Sequence, residues 1–116
     1  MLKEDVEQMN FISWIRYQYP KLLVYHIPNG GKRALLEAVK FKKMGVVSGI
    51  PDIHIPCMDL WIEMKRSKGG SLSKEQKKVI EILKNECGHE VIVGYGFEDA
   101  KEKFLKYAST YGGYVL

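Results

Sequence analysis

Cysteine is scarce in this chain. Cys57 and Cys87 are the only two in 116 residues, and no C-x-x-C spacing joins them. That excludes a disulfide framework and a thiolate zinc site as organising features, and both are read as small, partly buried residues with reduced thiols. Long apolar runs are missing too: none reaches the roughly 18 residues a membrane span needs. The opening Met1-Leu2-Lys3-Glu4-Asp5 lacks the apolar stretch of a secretory leader, so the expectation is a cytoplasmic protein. No internal repeat, low-complexity tract or linker breaks the sequence. Residues 1–116 are read as a single unit with a modest core.

What is present is ordinary in amount and uneven in distribution. The 46% hydrophobic and 28% charged content suits a folded protein. The net charge of +4 and pI near 9.0 are compatible with a polyanionic partner. The positive charge is clustered: Lys32, Arg33, Lys40, Lys42 and Lys43, then Lys65, Arg66 and Lys68, then Lys74, Lys77 and Lys78.

Periodicity organises the rest. Glu4 to Tyr19 carries Val6, Met9, Ile12 and Ile15 at helical spacing, with Phe11 and Trp14 broadening the stripe, and Pro20 ends it. Leu22 to Ile27 is β-prone and closes on Pro28-Asn29-Gly30-Gly31, a turn signal. Arg33 to Met44 has helical spacing through Leu35, Leu36, Val39 and Met44, with Gly45 as its C-cap. Ile50 to Ile55 and Leu60 to Lys65 are short strand-like runs joined by a tight connection. Ser73 with Gln76 forms a capping box that opens a helix bearing Val79, Ile80, Leu83 and Cys87 on one face. A strand over Glu90 to Tyr95 and a helix over Phe97 to Tyr107 follow. The predicted order is α-β-α-β-β-α-β-α, an α/β fold in which helices flank a four-stranded mixed sheet.

Charges fall where a strand would bury them. Glu63 and Lys65 alternate to one face of their strand, while Ile62 and Met64 point to the other. Asp52 opens the neighbouring strand, and pairing through the short turn brings Asp52 and Glu63 together near the end of the sheet. Converging carboxylates repel unless one is protonated or a cation lies between them. Hard oxygen ligands suit Mg²⁺, with Mn²⁺ as a substitute, and the peptide oxygen of Met64 is a further candidate ligand. Lys65 beside them would stabilise negative charge developing on a phosphate. Gln76 shares the sheet-facing side of its helix with Ile80 and Leu83. It reads either as a capping residue or as a neighbour that hydrogen-bonds Lys65. The Asn29-Gly30-Gly31-Lys32 turn could cradle a phosphate with its backbone amides, alongside Arg33, Lys42, Arg66 and Lys68 as nucleic-acid contacts. His26 is read as packed or hydrogen-bonded, His54 as a residue bordering the site, and His89 as surface.

Pro51-Asp52 with Glu63-Met64-Lys65 resembles the PD-(D/E)XK nuclease signature, and more specifically the chain resembles the stand-alone VRR-NUC domains. The likeness runs through Trp14, His26-Ile27-Pro28-Asn29-Gly30-Gly31, Met44-Gly45-Val46, Gly49-Ile50-Pro51-Asp52, Ile62-Glu63-Met64-Lys65 and Leu72-Ser73-Lys74-Glu75-Gln76. Val46-Val47-Ser48 departs from it, standing where the family's name leads one to expect arginines. The resemblance implies a restriction-endonuclease-like core and Mg²⁺-dependent hydrolysis of DNA leaving a 5′-phosphate. It supports a homodimer acting on branched, Holliday-junction-like DNA, and a role for Gln76 in the active site. It also implies a carboxylate from the first helix, for which Glu7 is the choice and Glu4, one turn earlier, the fallback. The competing expectation is a catalytically silent nucleic-acid-binding domain that keeps the same fold.

Overall fold

The computed structural model describes residues 2–28 and 35–111. Four strands form one sheet in the order β1 (Tyr25–His26), β2 (Ile53–Ile55), β3 (Leu60–Lys65), β4 (Glu90–Tyr95). The first two pairings are antiparallel and β3 pairs with β4 in parallel. The connections dictate this. A single 3-10 turn, Pro56–Met58, with Asp59 in the left-handed region (φ 47°), returns β2 onto β3 as a hairpin. Between β3 and β4 the chain passes through a helix, α3 (Lys74–Asn85), which permits the parallel pairing. With α1 (Glu4–Gln18), α2 (Leu35–Lys43) and α4 (Phe97–Ala108), the element order is the one read from the sequence.

Alternation along β3 sorts the two faces. Ile62 and Met64 point into the main core with Ile53, Ile55, Phe11, Ile15 and Phe104, where α1 and α4 pack. Trp61 points the other way, onto Val79, Leu83 and Val91 beneath α3. Phe104 is central to the first layer, and its ring makes edge or tilted contacts with Phe11, Trp14 and Tyr19. Tyr107 and Tyr111 tie the end of α4 back to the β2–β3 turn, both hydroxyls donating to the Met58 carbonyl.

Two helical stripes differ from expectation. The buried face of α1 is Glu7, Phe11 and Ile15, at i, i+4 and i+8, whereas Met9 is 58% exposed. The aromatic at position 11 outweighs the smaller Val6–Met9 periodicity, because a Phe buries more apolar area than any residue on the competing stripe. On α2, Leu36, Val39 and the following Met44 are exposed rather than packed inward. A groove of about 690 Å³, lined by Ala38, Phe41, Val46, Val79 and Ile82 among others, separates α2 from α3. Both cysteines are exposed and unpaired, more open than the partly buried state expected of them. Among the described residues, no helix is long and apolar enough to cross a membrane.

The layer assignment predicts an asymmetry that chemical denaturation can measure. Phe104→Ala should cost about 3–5 kcal/mol, as a fully buried aromatic does, while Leu36→Ala, at 83% exposure, should stay within roughly 0.5 kcal/mol. Equal losses at the two positions would contradict this layering.

Candidate functional site

Strand β3 delivers Glu63 and Lys65 to the α3 side of the sheet, both almost fully buried at 1% and 8% exposure. Asp52 immediately precedes β2. Because Ile53 pairs with Ile62, Asp52 comes to lie beside Glu63. Three hydrogen bonds fix it there. Its Oδ2 accepts from the Met64 amide at 2.8 Å, and its carbonyl accepts from the Ile27 amide at 2.8 Å. The same carbonyl lies 2.8 Å from His26 Nδ1, which is also 2.9 Å from the side-chain amide nitrogen of Gln8. His26 is thus the hydrogen-bonded residue expected, and it braces Asp52.

The carboxylate that α1 brings to this pair is Glu4. Ligand oxygens of Glu4, Asp52 and Glu63 all lie within 4.8 Å of one another. Glu7, preferred on the sequence, is directed elsewhere: its Oε1 accepts from the Phe97 amide at 3.0 Å, at the start of α4. Glu4 and Glu7 are three residues apart on one helix face. The sequence signal for that face was the Glu7, Phe11, Ile15 spacing, which puts a carboxylate in line with two core residues.

Gln76 joins the two readings that the sequence left open. Its backbone amide donates to the Ser73 hydroxyl oxygen at 3.1 Å and its Oε1 accepts from the Ser73 amide at 2.8 Å, completing the capping box. The same Oε1 accepts from Lys65 Nζ at 3.0 Å, while Nε2 donates to Glu63 Oε2 at 3.2 Å. One side chain therefore caps α3 and holds Lys65 and Glu63 at a fixed separation, with Nζ 3.9 Å from Oε2. Gly49, which the sequence reading did not assign to the site, makes this possible. A Cβ there would fall 2.6 Å from the Glu75 carbonyl and 2.9 Å from the Gln76 amide, and its φ is +89°. Only glycine lets the chain leading to Asp52 pass this close to the first turn of α3.

Electrostatics make the cluster unstable as a bare set of anions. Burial, followed by the negative charge of Asp52, pushes the Glu63 carboxyl up to about 9, with Lys65 opposing. Burial also raises Glu4, with Asp52 adding to it and Lys65 and Arg66 opposing. Glu63 Oε1 is buried with no hydrogen-bond partner. A buried carboxylate oxygen without a hydrogen-bond donor, on one of three acidic residues whose ligand oxygens converge, is the arrangement a hard divalent cation satisfies. The residues present therefore fit Mg²⁺ or Mn²⁺.

The remaining expected site residues are spread around this centre. Asn29, Gly30, Gly31, Lys32 and Arg33 lie outside the described residues. Lys42 is exposed on α2, and Arg66 and Lys68 are exposed just beyond β3. His54 does not join the acidic cluster. It stacks on Trp61 at 3.8 Å and 14°, and its Nδ1 lies 2.6 Å from the Tyr25 hydroxyl. Its ring is drawn toward the large indole on its own face of the sheet, away from Asp52. Trp61 in turn donates to His89 Nδ1 at 3.0 Å.

A solved structure described as a "VRR_NUC domain protein" shares this fold, with a TM-score of 0.75 and 28% sequence identity over 94% of this chain and 90% of that one. No family model matches the chain. No curated protein matches it either.

Glu63 makes stability in the absence of metal depend on pH. With the folded carboxyl near 9 and an unfolded value of about 4.3, the folded chain binds an extra proton between them. That contribution is fully present below the unfolded value and is lost as pH rises through the folded one. In EDTA, therefore, Tm should fall from pH 5 toward pH 9. Glu63→Gln should flatten the profile and raise Tm at pH 8 by roughly 5 °C, about 1 kcal/mol for a protein of this size. A wild-type profile that is already flat would refute the assignment.

Proposed function

We propose, from the premise that this chain is a VRR-NUC domain, that it is a metal-dependent deoxyribonuclease. The observation that carries the reading is the buried Oε1 of Glu63, which has no hydrogen-bond donor, on a residue clustered with Asp52 and Glu4 and with Lys65 within reach. A binding surface alone has no use for buried carboxylates beside phosphates, because they repel the ligand and cost desolvation energy.

A divalent cation held by Glu4, Asp52 and Glu63, with the Met64 peptide oxygen as a candidate further donor, would polarise the scissile phosphate and acidify the attacking water. The chain's own residues do the remaining work. Lys65 has three N–H donors, and Gln76 takes one of them. Its ammonium can therefore meet the negative charge that grows on the phosphate oxygens as the attack proceeds. Gln76 keeps that ammonium from collapsing onto Glu63, and the cap on α3 keeps Gln76 in place. Arg66 and Lys68, exposed at the mouth of β3, are suited to flanking phosphates, and Lys42 to a more distant one.

Branched DNA is the substrate proposed, cut by a homodimer whose twofold axis sets two sites on opposite strands. Exposed Leu36, Val39, Met44, Val46 and Val47 around the α2 groove offer an apolar face for the second copy.

A cleavage panel tests the activity: single-stranded, duplex, flap and four-way-junction DNA with Mg²⁺ or Mn²⁺. Cleavage should vanish in EDTA and fall at least about 100-fold in Lys65→Ala, the usual loss for one transition-state donor. Activity indifferent to both would sink the proposal, and tight binding without cleavage would favour the silent binding domain. Sedimentation at micromolar concentration should show a dimer that Met44→Glu dissociates; a wild-type monomer would remove the paired-cut mechanism.

A further inference from the structure

We propose that Glu7 is the positioning residue of the metal site, a strut that sets where Glu4 presents its carboxylate; this rests on the metal-dependent reading above. Glu7 is buried at 8% exposure, a position a carboxylate occupies only with partners. Its partner is the Phe97 amide, 90 residues away in sequence and the first N–H of α4. A helix that needs only a cap takes it locally, from Ser, Thr, Asp or Asn at the N-cap position. Here the N-cap is Gly96, which has no side chain, and the acceptor comes from the helix that carries Glu4.

Gly96 connects this contact to the chemistry. Its amide donates to the carbonyl of Lys65 at 2.8 Å, so the turn that Glu7 grips is bonded to the last residue of β3. Its φ of +91° is a glycine conformation, and a Cβ there would fall 2.9 Å from Glu7 Oε2 and 3.1 Å from the Ser67 side chain. The missing side chain is the space that the carboxylate fills. The path Glu7–Phe97–Gly96–Lys65 thus pins α1 to the strand bearing Glu63 and Lys65. Glu4 lies one turn earlier on α1, about 4.5 Å along the axis. A small rotation or slide of α1 therefore moves Glu4 relative to Asp52 and Glu63. Charge is not what this role requires: the bond to Phe97 needs an oxygen acceptor at that reach, which glutamine also supplies.

Titration of the full chain with Mn²⁺ alone, followed by electron paramagnetic resonance without DNA, tests this, with circular dichroism to confirm folding. Glu4→Gln should abolish most binding. Glu7→Gln, which keeps the acceptor, should stay within about twofold of wild type. Glu7→Ala should weaken Mn²⁺ about tenfold or more, the usual loss when a ligand's supporting residue is removed. Glu7→Asp, which keeps the charge but shortens the reach, should weaken it as well and stands in if the alanine variant does not fold. Wild-type affinity in Glu7→Ala or Glu7→Asp would reduce Glu7 to a helix cap. A Glu7→Gln variant as impaired as Glu4→Gln would make it a ligand. Either result overturns the proposal while leaving the metal reading intact. Wild-type protein that does not bind Mn²⁺, or binding indifferent to Glu4, would overturn both.

Discussion

Asp52 and Glu63 are pressed together by the pairing of β2 with β3, and neither can move away without breaking the sheet. Their repulsion, in a place where Glu63 is cut off from water, is the constraint around which the site is organised. Without a cation, the strain is relieved by a proton on Glu63. With one, the same oxygens would serve as its ligands. Every neighbouring feature bears on that choice: Lys65 and Arg66 oppose the negative charge, and Gln76 ties up one oxygen of Glu63 and leaves the other open. Crowding two carboxylates in this way lowers stability locally, a common compromise at functional centres.

Glycine and capping supply the precision. Gly49 lets the segment before Asp52 touch the first turn of α3, and the Ser73–Gln76 box then fixes Gln76 over Lys65 and Glu63. On the other side of the sheet, α1 and α4 are held by the aromatic layer around Phe104. The site is therefore built between two rigid layers, which suits ligands that must be held to within a fraction of an ångström. The α2 side is different in character. Its apolar residues Leu36, Val39 and Met44 are exposed around a groove and not packed inward.

Much of the fold was legible because local signals agreed. The boundaries of β3 and β4, the Ser73 capping box and the element order all followed from periodicity, turn residues and caps. The α1 face was misread because two apolar periodicities overlap on that helix, and only packing against Phe104 and the sheet decides between them. The exposure of α2 was not legible either. Its apolar spacing resembles that of a packed helix, and spacing carries no record of whether another surface meets it. His54 was expected near Asp52 from strand parity alone, but parity gives a face of the sheet and not a neighbour.

The sequence by itself determined which chemistry was available: Asp52, Glu63 and Lys65 on adjoining strands, because alternation and hairpin pairing are local rules. It also put Gln76 on the sheet-facing side of its helix with Ile80 and Leu83, leaving open whether it caps that helix or reaches Lys65. Which carboxylate of α1 joins the cluster was decided only by tertiary structure. Glu4 and Glu7 share a helix face, so nothing local distinguishes them. The distinction arises where α1 meets the β4–α4 turn, at which Gly96 leaves room for Glu7 and the free amide of Phe97 takes its oxygen. With Glu7 held there, Glu4 is the carboxylate left to face Asp52 and Glu63.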